Sequence, residues 1–369
     1  MKKIIVIIPY FGTLPKMFKF WYQSAVNNPT INYLFFTDCS IEETSNIKVV
    51  KVTFEELKAQ IQSKFDFKIE LPSPYKFCDY KPAYGDIFKD YLEGYDFWGF
   101  GDIDLVYGNI RYFLTEDVLN NYDIISGWGH LTLYRNNDSC NLFYKERING
   151  YLCYKDVFAQ TRNAAFDEYL HRGMSDRWKN IYPDRIWDSR LFDDIRVPRL
   201  AMNFISEFHP ECSKNLIFEY EDGNLYRIYQ KEDGTIVKEE TLYAHFQQRK
   251  FMRIETDNLK HYLVIPNKFI NYQPISVEKL IKWGRPRTLQ RKFFNLKNII
   301  KDGKLTKLDV DRIIQSTIFE DIYPYFTWVI RTEQRRDSNG NTYTVKVGYC
   351  DVEVVERYKY SRDKWEMFL

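Results

Sequence analysis

The fold of this chain is decided by one stretch, YDFWGFGDIDLVYG at residues 95–108. Its first half is aromatic and apolar, which is typical of a buried strand, and a glycine flanks Phe100 on either side. Asp102 and Asp104 follow at once. Side chains two positions apart at a strand end share a face, so these carboxylates can converge on one divalent cation. Ligands of α/β sheets bind at this carboxyl edge.

The tripeptide Asp-x-Asp is weak evidence without its setting. It recurs at residues 309–311, in a Lys-rich helical stretch with no strand before it, where we interpret it as solvated surface. Asp102 and Asp104 instead follow a strand too apolar to carry two unused acids, because burying unpaired carboxylates is costly. We therefore interpret this pair as a metal site; the alternative is a structural turn.

Strands and helices alternate around this stretch. Residues 4–8 form a continuous β-branched run, which predicts a strand buried on both faces of a parallel sheet. Further elements predicted on this side are a Gly turn ending at Gly12, a helix over 16–27, a strand over 32–38, a strand over 47–52 and a helix over 53–64. Thr53 and Glu56 would form a capping box for the last helix. The alternation predicts an α/β layer structure.

The second half of the chain changes character. Residues 140–195 are predicted to be mainly helical. Residues 215–246 hold short apolar runs separated by Glu-Asp-Gly turns, which predicts an antiparallel meander. Near the end, the Asn-Gly turn at 338–341 predicts a hairpin between 326–333 and 342–348.

Composition excludes several classes of protein. Of the 369 residues, 44% are hydrophobic and 28% charged, which rules out a largely disordered or collagen-like chain. Aromatic residues reach 18%, enough to line a groove for sugars or bases, although core packing is the ordinary use of such side chains. The six cysteines form no C-x-x-C pair, which favours free thiols. Without an apolar span or signal peptide, we expect a cytoplasmic protein.

A basic segment follows at residues 276–307, with ten Lys or Arg against two acids. Within it, apolar residues recur at helical spacing at Leu289, Phe293, Leu296 and Ile300. This predicts a basic amphipathic helix that could contact an anionic membrane surface, as a peripheral protein at the inner face of the cell membrane would. The alternative is a helix packed on the domain with a charged outer face. Nucleic acid is not an expected partner, because no RNA or DNA motif accompanies the charge.

Three motifs carry a resemblance to a known class of enzyme: KPAYG at 81–85, FWGFGDIDLVYG at 97–108 and GWGHLTLYRN at 127–136, with a late HFQQRK at 245–250. Together they resemble the GT-A class of nucleotide-sugar glycosyltransferases. They are most similar to an uncharacterised bacterial group associated with capsule and lipopolysaccharide assembly. The resemblance spans about residues 1–255, a GT-A (Rossmann-like) mixed sheet flanked by helices and including the meander. It leaves 256–369 as an appendage with the basic helix and the hairpin.

The resemblance implies a role for each matching residue. Asp104 would ligate Mn²⁺ or Mg²⁺, Asp102 would hold the metal or the donor ribose, and His245 would complete the metal shell. A packed imidazole is the alternative for His245. The remaining residues implied in binding the nucleotide-sugar donor are Pro9, Tyr10, Phe11 and Gly12 for base and ribose, Asp38 for base or ribose, Lys81 for phosphate or acceptor, and Arg249 and Lys250 for the diphosphate. Asp38 could also be an ordinary turn residue, and Lys81 an ordinary surface lysine.

A catalytic base would be required by an inverting transferase and not by a retaining one, and both mechanisms stay open. Glu168 and its neighbour Asp167 lie where such a base is expected. Further acids in the same region compete for the role: Asp184, Asp188, Asp193 and Asp194. Trp128 and His130 are placed on the acceptor side, with a packed turn as the alternative.

The predicted function is transfer of a sugar from a nucleotide sugar, expected to be a UDP-sugar, to a surface glycan. The acceptor would be a glycan or lipid-linked glycan of a capsule, a lipopolysaccharide or a related polysaccharide. One alternative is a metal-dependent phosphoryl hydrolase, although it would need more clustered His and Asp ligands than a chain with five His readily offers. The other is a non-catalytic glycan-binding protein.

Overall fold

The computed structural model describes residues 1–125, 128–168, 173–195, 203–247, 253–266, 268–284, 328–336, 342–350 and 366–368. The strands are β1 Ile4–Pro9, β2 Ile31–Thr37, β3 Ile47–Lys51, β4 Phe97–Gly101, β5 Leu105–Tyr107, β6 Ile124–Ile125, β7 Leu131–Arg135, β8 Ile186–Trp187, β9 Asp193–Asp194, β10 Ile217–Glu221, β11 Asn224–Gln230, β12 Ile236–Glu240, β13 Tyr243–His245, β14 Arg253–Glu255, β15 His261–Ile265, β16 Lys268–Asn271, β17 Trp328–Arg336, β18 Thr342–Cys350 and β19 Glu366–Phe368. The α-helices are α1 Phe18–Val26, α2 Phe54–Gln62, α3 Phe77–Tyr80, α4 Tyr84–Ile87, α5 Ile110–Phe113, α6 Glu116–Asn121, α7 Asp138–Leu142, α8 Tyr154–Phe158, α9 Met174–Ile181 and α10 Val277–Gly284.

The N-terminal half builds a seven-stranded mixed sheet in the order β3-β2-β1-β4-β7-β6-β8. Strands β3, β2, β1 and β4 run parallel, whereas β7 is antiparallel to both β4 and β6. The predicted mixed α/β architecture is therefore confirmed. Because β1 and β4 are parallel neighbours, their carboxyl ends lie at the same edge of the sheet.

Strand β1 is buried on both faces, as its continuous apolar run predicts. Ile4, Val6 and Ile8 belong to one hydrophobic cluster, whereas Ile5 and Ile7 belong to another on the opposite side. Helix α1 packs on the first side, and α2 packs on the second. The N-terminus of α2 carries the predicted capping box between the side chains and backbone of Thr53 and Glu56.

The glycine at position 99 lets β4 and β7 approach closely. A Cβ atom at Gly99 would lie 2.3 Å from the carbonyl oxygen of Thr132 and 2.5 Å from the Leu133 side chain. Such contacts are too short for any larger residue, so the glycine is required by packing. It keeps β7 in register with β4 up to the strand end that delivers Asp102.

The predicted meander is part of a second, six-stranded sheet in the order β12-β11-β10-β15-β16-β14. The domain boundary predicted at residue 255 falls within this sheet, between β14 and β15. Helix α10 packs against it through Leu280 and Trp283, which are buried, while Val277 and Ile281 are exposed. The first turns of the basic segment therefore pack on the six-stranded sheet. The Trp283 ring is part of this contact and is buried by it.

The predicted mainly helical character of residues 140–195 is wrong. Helices α7, α8 and α9 are short, and turns, β8 and β9 fill much of the region. Buried side chains replace the helical hydrogen bonds here: the Asp79 carboxylate accepts from the backbone N–H groups of Ala164 and Phe166. Lys76 pairs with Asp79 at 2.6 Å and donates to the carbonyl of Val157. Side chains that are distant in sequence thus determine the conformation of this loop, and helix propensity, which depends on neighbouring residues, does not reflect such contacts.

The predicted C-terminal hairpin is confirmed, since β17 and β18 pair antiparallel with Arg336 opposite Thr342. The apolar positions 289–300 of the predicted amphipathic helix and the second Asp-x-Asp at 309–311 lie outside the described residues. The cysteines whose side chains the structure describes carry free thiols: Cys39, Cys78, Cys140, Cys153 and Cys212. No helix in those ranges is both long and apolar enough to cross a bilayer.

Candidate metal centre

Strand ends bring the two acids of the Asp-x-Asp motif to the edge of the seven-stranded sheet. Strand β4 stops at Gly101, and the backbone N–H of Asp102 still donates to the His130 carbonyl at 3.0 Å. The chain then turns into β5, which leaves the main sheet and pairs with β13. Asp102 and Asp104 therefore flank the point at which the chain passes from one sheet to another.

A small three-stranded sheet, β5-β13-β9, aligns the other polar residues with this edge. His245 lies opposite Leu105 on one side and opposite Asp194 on the other. The N–H of Phe246 donates to the Asp104 carbonyl at 3.0 Å, which fixes β13 beside the motif. Residues more than 100 positions apart in sequence thus become neighbours through strand register.

We name Asp102, Asp104 and His245 the sheet-edge cluster. A potential ligand atom from each lies within 4.8 Å of those of the other two. Asp104 Oδ1 is 3.4 Å from His245 Nε2, and both side chains are buried, whereas the Asp102 side chain is 35% exposed. Two carboxylate oxygens and one imidazole nitrogen, open to solvent on one side, form a donor set that suits a divalent ion such as Mn²⁺.

Asp194 orients the histidine of this cluster. Its Oδ1 is 2.8 Å from His245 Nδ1, and it also accepts from the Gln247 side-chain amide at 2.7 Å. Burial alone would lower the pKa of His245, but the carboxylates of Asp104 and Asp194 outweigh burial and raise it to about 10. A carboxylate on the far nitrogen is the usual partner of a metal-binding histidine, because it fixes the tautomer and the ring plane.

Lys81 is buried behind Asp102. Its ammonium donates to Asp102 Oδ1 at 2.9 Å and to the Gly129 carbonyl, and it lies 3.4 Å from Asp167 Oδ2. Burial lowers the pKa of Lys81, but the charges of Asp102 and Asp167 outweigh burial and hold that pKa well above its usual value. Lys81 is thus not an ordinary surface lysine. The Lys81 ammonium lies between the carboxylates of Asp102 and Asp167, and its hydrogen bond to Asp102 positions that side chain.

The two candidate bases differ in their surroundings. Asp167 is 2% exposed, and its Oδ1 has no hydrogen-bond partner among the described residues. Burial, only partly offset by Lys81, raises the pKa of Asp167 well above its usual value. Glu168 is half-buried, and both acids lie against Gly129, where an added Cβ would be 3.1 Å from Asp167 Oδ2 and 3.3 Å from Glu168 Oε1. The geometry therefore leaves Glu168 as the more accessible of the pair.

The first turn lies at the same sheet edge. Tyr10 is half-buried, its hydroxyl donates to the Thr13 carbonyl at 2.7 Å, and its pKa is raised by burial and by the nearby charges of Cys39 and Asp104. Gly12 has a φ of +105° with open space where a side chain would be. Pro9, the last residue of β1, is half-buried beside them.

Phe11 and Asp38 lie in opposite surroundings. The Phe11 ring is buried against Phe54 and Phe77, so it is a core ring and does not face a ligand. Asp38 is exposed just after β2, and the neighbouring Cys39 thiol donates to the Gly12 carbonyl at 2.8 Å, which ties this strand end to the first turn. The predicted diphosphate contacts Arg249 and Lys250 lie outside the described residues.

His130, which we predicted on the acceptor side or in a packed turn, is buried beside the histidine of the sheet-edge cluster. His130 stacks on His245 with ring centroids 4.4 Å apart, and His130, Asp194 and His245 also bring potential ligand atoms within 4.8 Å of one another. The partnership of Asp194 with His245 crosses 51 residues and leaves no local pattern in the sequence. The sequence offered a local signal only for His245, which stands at the end of the predicted meander.

One comparison with known proteins assigns the chain to a family. The model of a family of unknown function, DUF6625, matches residues 6–273. No curated protein matches the chain. The matched range contains every residue of the sheet-edge cluster together with Lys81, His130 and Asp194. Because the match covers well over half of the sequence, the chain belongs to the DUF6625 family.

Proposed function

We propose that this protein is a metal-dependent glycosyltransferase of the GT-A type, which transfers a sugar from a nucleotide sugar to a glycan acceptor. The observation that carries the proposal is the convergence of Asp102, Asp104 and His245 at the carboxyl edge of parallel strands. Ligands of α/β sheets bind at that edge, and a metal ion held there can offset the charge of a diphosphate. An acid pair completed by a late histidine is also what the resemblance to GT-A enzymes implies.

The sheet-edge cluster would hold Mn²⁺ or Mg²⁺. When bound, such an ion offsets the negative charge that a leaving nucleoside diphosphate gains. Asp104 and His245 would hold the ion from the buried side, and Asp102, which is partly exposed, would face the donor. Lys81 keeps the Asp102 carboxylate in place from behind, so little reorganisation is needed when the donor binds.

The donor nucleoside would bind along the first turn. Tyr10 offers a half-buried ring near Asp104, and Gly12 leaves room for close approach of a ligand to the backbone. Asp38 is exposed at the neighbouring strand end, where its carboxylate could accept hydrogen bonds from the base or ribose. We expect uridine as the base and a UDP-sugar as the donor.

The acceptor would approach from the side of Trp128 and Gly129. Glu168 lies against Gly129 and is more exposed than Asp167, so it is the residue we assign to proton removal if the reaction inverts the anomeric carbon. Asp167 would position Lys81. The acceptor class that we propose is a surface polysaccharide such as a capsule or lipopolysaccharide, presented on a lipid carrier at the membrane. The basic residues of 276–307 would contact the anionic lipids of that membrane.

A thermal-shift panel separates this proposal from its two alternatives. Nucleoside diphosphates and simple sugars are each added to the full chain with and without Mn²⁺. The proposal expects the melting temperature to rise with UDP in the presence of Mn²⁺ and to rise much less with either alone. A response to sugars without nucleotide would indicate a glycan-binding protein. Release of inorganic phosphate from a nucleotide, without sugar transfer, would indicate a hydrolase.

A further inference from the structure

His130 is buried beside the sheet-edge cluster, and one of its ring nitrogens forms no hydrogen bond with the part of the chain that the structure describes. The residue is 6% exposed, and its Nε2 has no hydrogen-bond partner among the described residues. The other nitrogen, Nδ1, is 2.9 Å from the Tyr243 hydroxyl. An unpaired buried polar atom costs free energy, so such an atom calls for an explanation by function.

The carboxylate facing that nitrogen belongs to Asp194. His130 Nε2 is 3.9 Å from Asp194 Oδ2, which is too long for a hydrogen bond. Two ligands of one ion, each about 2.1 Å from it, lie up to about 4.2 Å apart, so the gap has the width of a bound cation. The hydrogen bond between Asp194 and His245 involves Oδ1 of the carboxylate. The other oxygen, Oδ2, is therefore the one that faces His130.

The hydrogen bonding of His130 fits this geometry, because a neutral imidazole carries one N–H and one nitrogen lone pair. If its single proton is on Nδ1 and donated to Tyr243, a lone pair is left on Nε2, directed at the gap. This is the second-shell pattern of a histidine that ligates a metal through the opposite nitrogen.

We propose that His130 Nε2 and Asp194 Oδ2 form a second cation position, next to the sheet-edge cluster and linked to it by the hydrogen bond between His245 and Asp194. The position deepens the proposed function and rests on it for its role. There, His130 and Asp194 would hold additional positive charge beside the diphosphate, as paired-ion sites do. An imidazole nitrogen in the donor set favours Zn²⁺ or another first-row transition ion over Mg²⁺.

Counting bound Zn²⁺ tests the proposal without any measurement of activity. The full chain is stripped with chelator and titrated with Zn²⁺ by calorimetry, together with H130Q, D104N and H209Q. H209Q is the matched control, because His209 lies outside both positions and bonds the Arg190 carbonyl. We expect about two ions per chain in the unaltered protein and in H209Q, and about one in H130Q and in D104N.

The alternative results are distinct. If H130Q binds as many ions as the unaltered protein, or if the latter binds one ion that only D104N removes, the second position is refuted and the sheet-edge cluster stands. If the unaltered protein binds none, the proposed function fails as well. Should H130Q not fold, Tyr243→Phe keeps His130 and removes its anchor. We expect that change to weaken the second ion by roughly 10-fold, and unchanged affinity would overturn the proposal.

Discussion

Two clusters of the same residue types lie on different sheets of this molecule. The sheet-edge cluster has two acids one residue apart and a histidine. The meander cluster, which we define as Glu219, Glu221 and His261, has the same pattern, and its potential ligand atoms also lie within 4.8 Å of one another. Their difference shows what a pair of alternate acids needs in order to become a metal centre.

The meander cluster already contains a cation. Lys238 Nζ is 2.8 Å from Glu219 and 3.7 Å from Glu221, and His261 Nε2 is 2.9 Å from Glu219. These acids lie within β10, in the middle of an antiparallel sheet, where cross-strand neighbours satisfy them. Lys238, on β12 at the far side of β11, completes an ordinary ion-pair network.

The sheet-edge cluster is placed where strands stop. Asp104 and His245 face each other at 3.4 Å, and the ammonium of Lys81 lies against Asp102 from the direction of Asp167. The two clusters share their acid spacing, and they differ in that only the sheet-edge cluster lies at the carboxyl ends of parallel strands. Four substitutions follow that would break or sharpen this contrast.

The largest effect is expected at Asp104. Under the proposed function, Asp104→Asn removes a charged ligand of the metal, so we expect sugar transfer from the nucleotide donor to fall by about 1,000-fold, equivalent to about 4 kcal/mol. Glu221→Gln is the matched change in the meander cluster and should leave the rate unchanged. Product formation by mass spectrometry measures both. Equal losses in the two variants would remove the distinction between the clusters.

The next effect is on stability, at Lys81. Lys81→Met leaves the buried Asp167 without its counter-charge, so the free energy of unfolding should fall by about 3 kcal/mol. Urea unfolding in metal-free buffer measures this. In the double variant with Asp167→Asn most of the loss should be recovered, because the uncompensated charge is gone. If the single variant is as stable as the unaltered protein, Lys81 does not hold these acids.

Asp167 gives a pH-dependent test of the same network. Its pKa is raised in the folded chain, so the stability that its protonated form contributes is fully present below the ordinary pKa of an aspartate and is lost as pH rises through the folded value. Asp167→Asn stays neutral throughout. Its melting temperature relative to the unaltered protein should therefore increase from acidic to neutral pH. A difference that shrinks over that range would contradict the assignment.

The smallest effect is expected in the meander cluster. Lys238→Met removes its resident cation and should lower the free energy of unfolding by about 1 kcal/mol, since Lys238 is partly exposed. The same change should give the cluster a weak affinity for Mn²⁺, measured by calorimetry in the Asp104→Asn background. Lys268→Met, at an exposed pair with Glu255, is the control. If Lys238→Met gains no affinity, the resident lysine is not what separates the clusters.

Sequence reasoning reached the parts of this structure that local patterns encode. The β-branched run at residues 4–8 and the capping box at Thr53 specified their strand and helix, and the acid pair after an aromatic strand marked the sheet edge. Asp194 was predicted only as a competing base, and His130 only on the acceptor side or in a packed turn. Their contacts with His245 were not predicted, because these come through strand register between distant segments. The loop around Asp167 was mistaken for helix because buried Asp79 and Lys76, far along the chain, supply its backbone hydrogen bonds.

Anomalous diffraction from crystals soaked with Mn²⁺ and UDP tests the central claim most directly. Data collected at the manganese edge locate the ion without reference to activity. The account predicts a peak between Asp102, Asp104 and His245, with the diphosphate beside it. A manganese peak among Glu219, Glu221 and His261 instead, or nucleotide bound with no metal at the sheet edge, would contradict it.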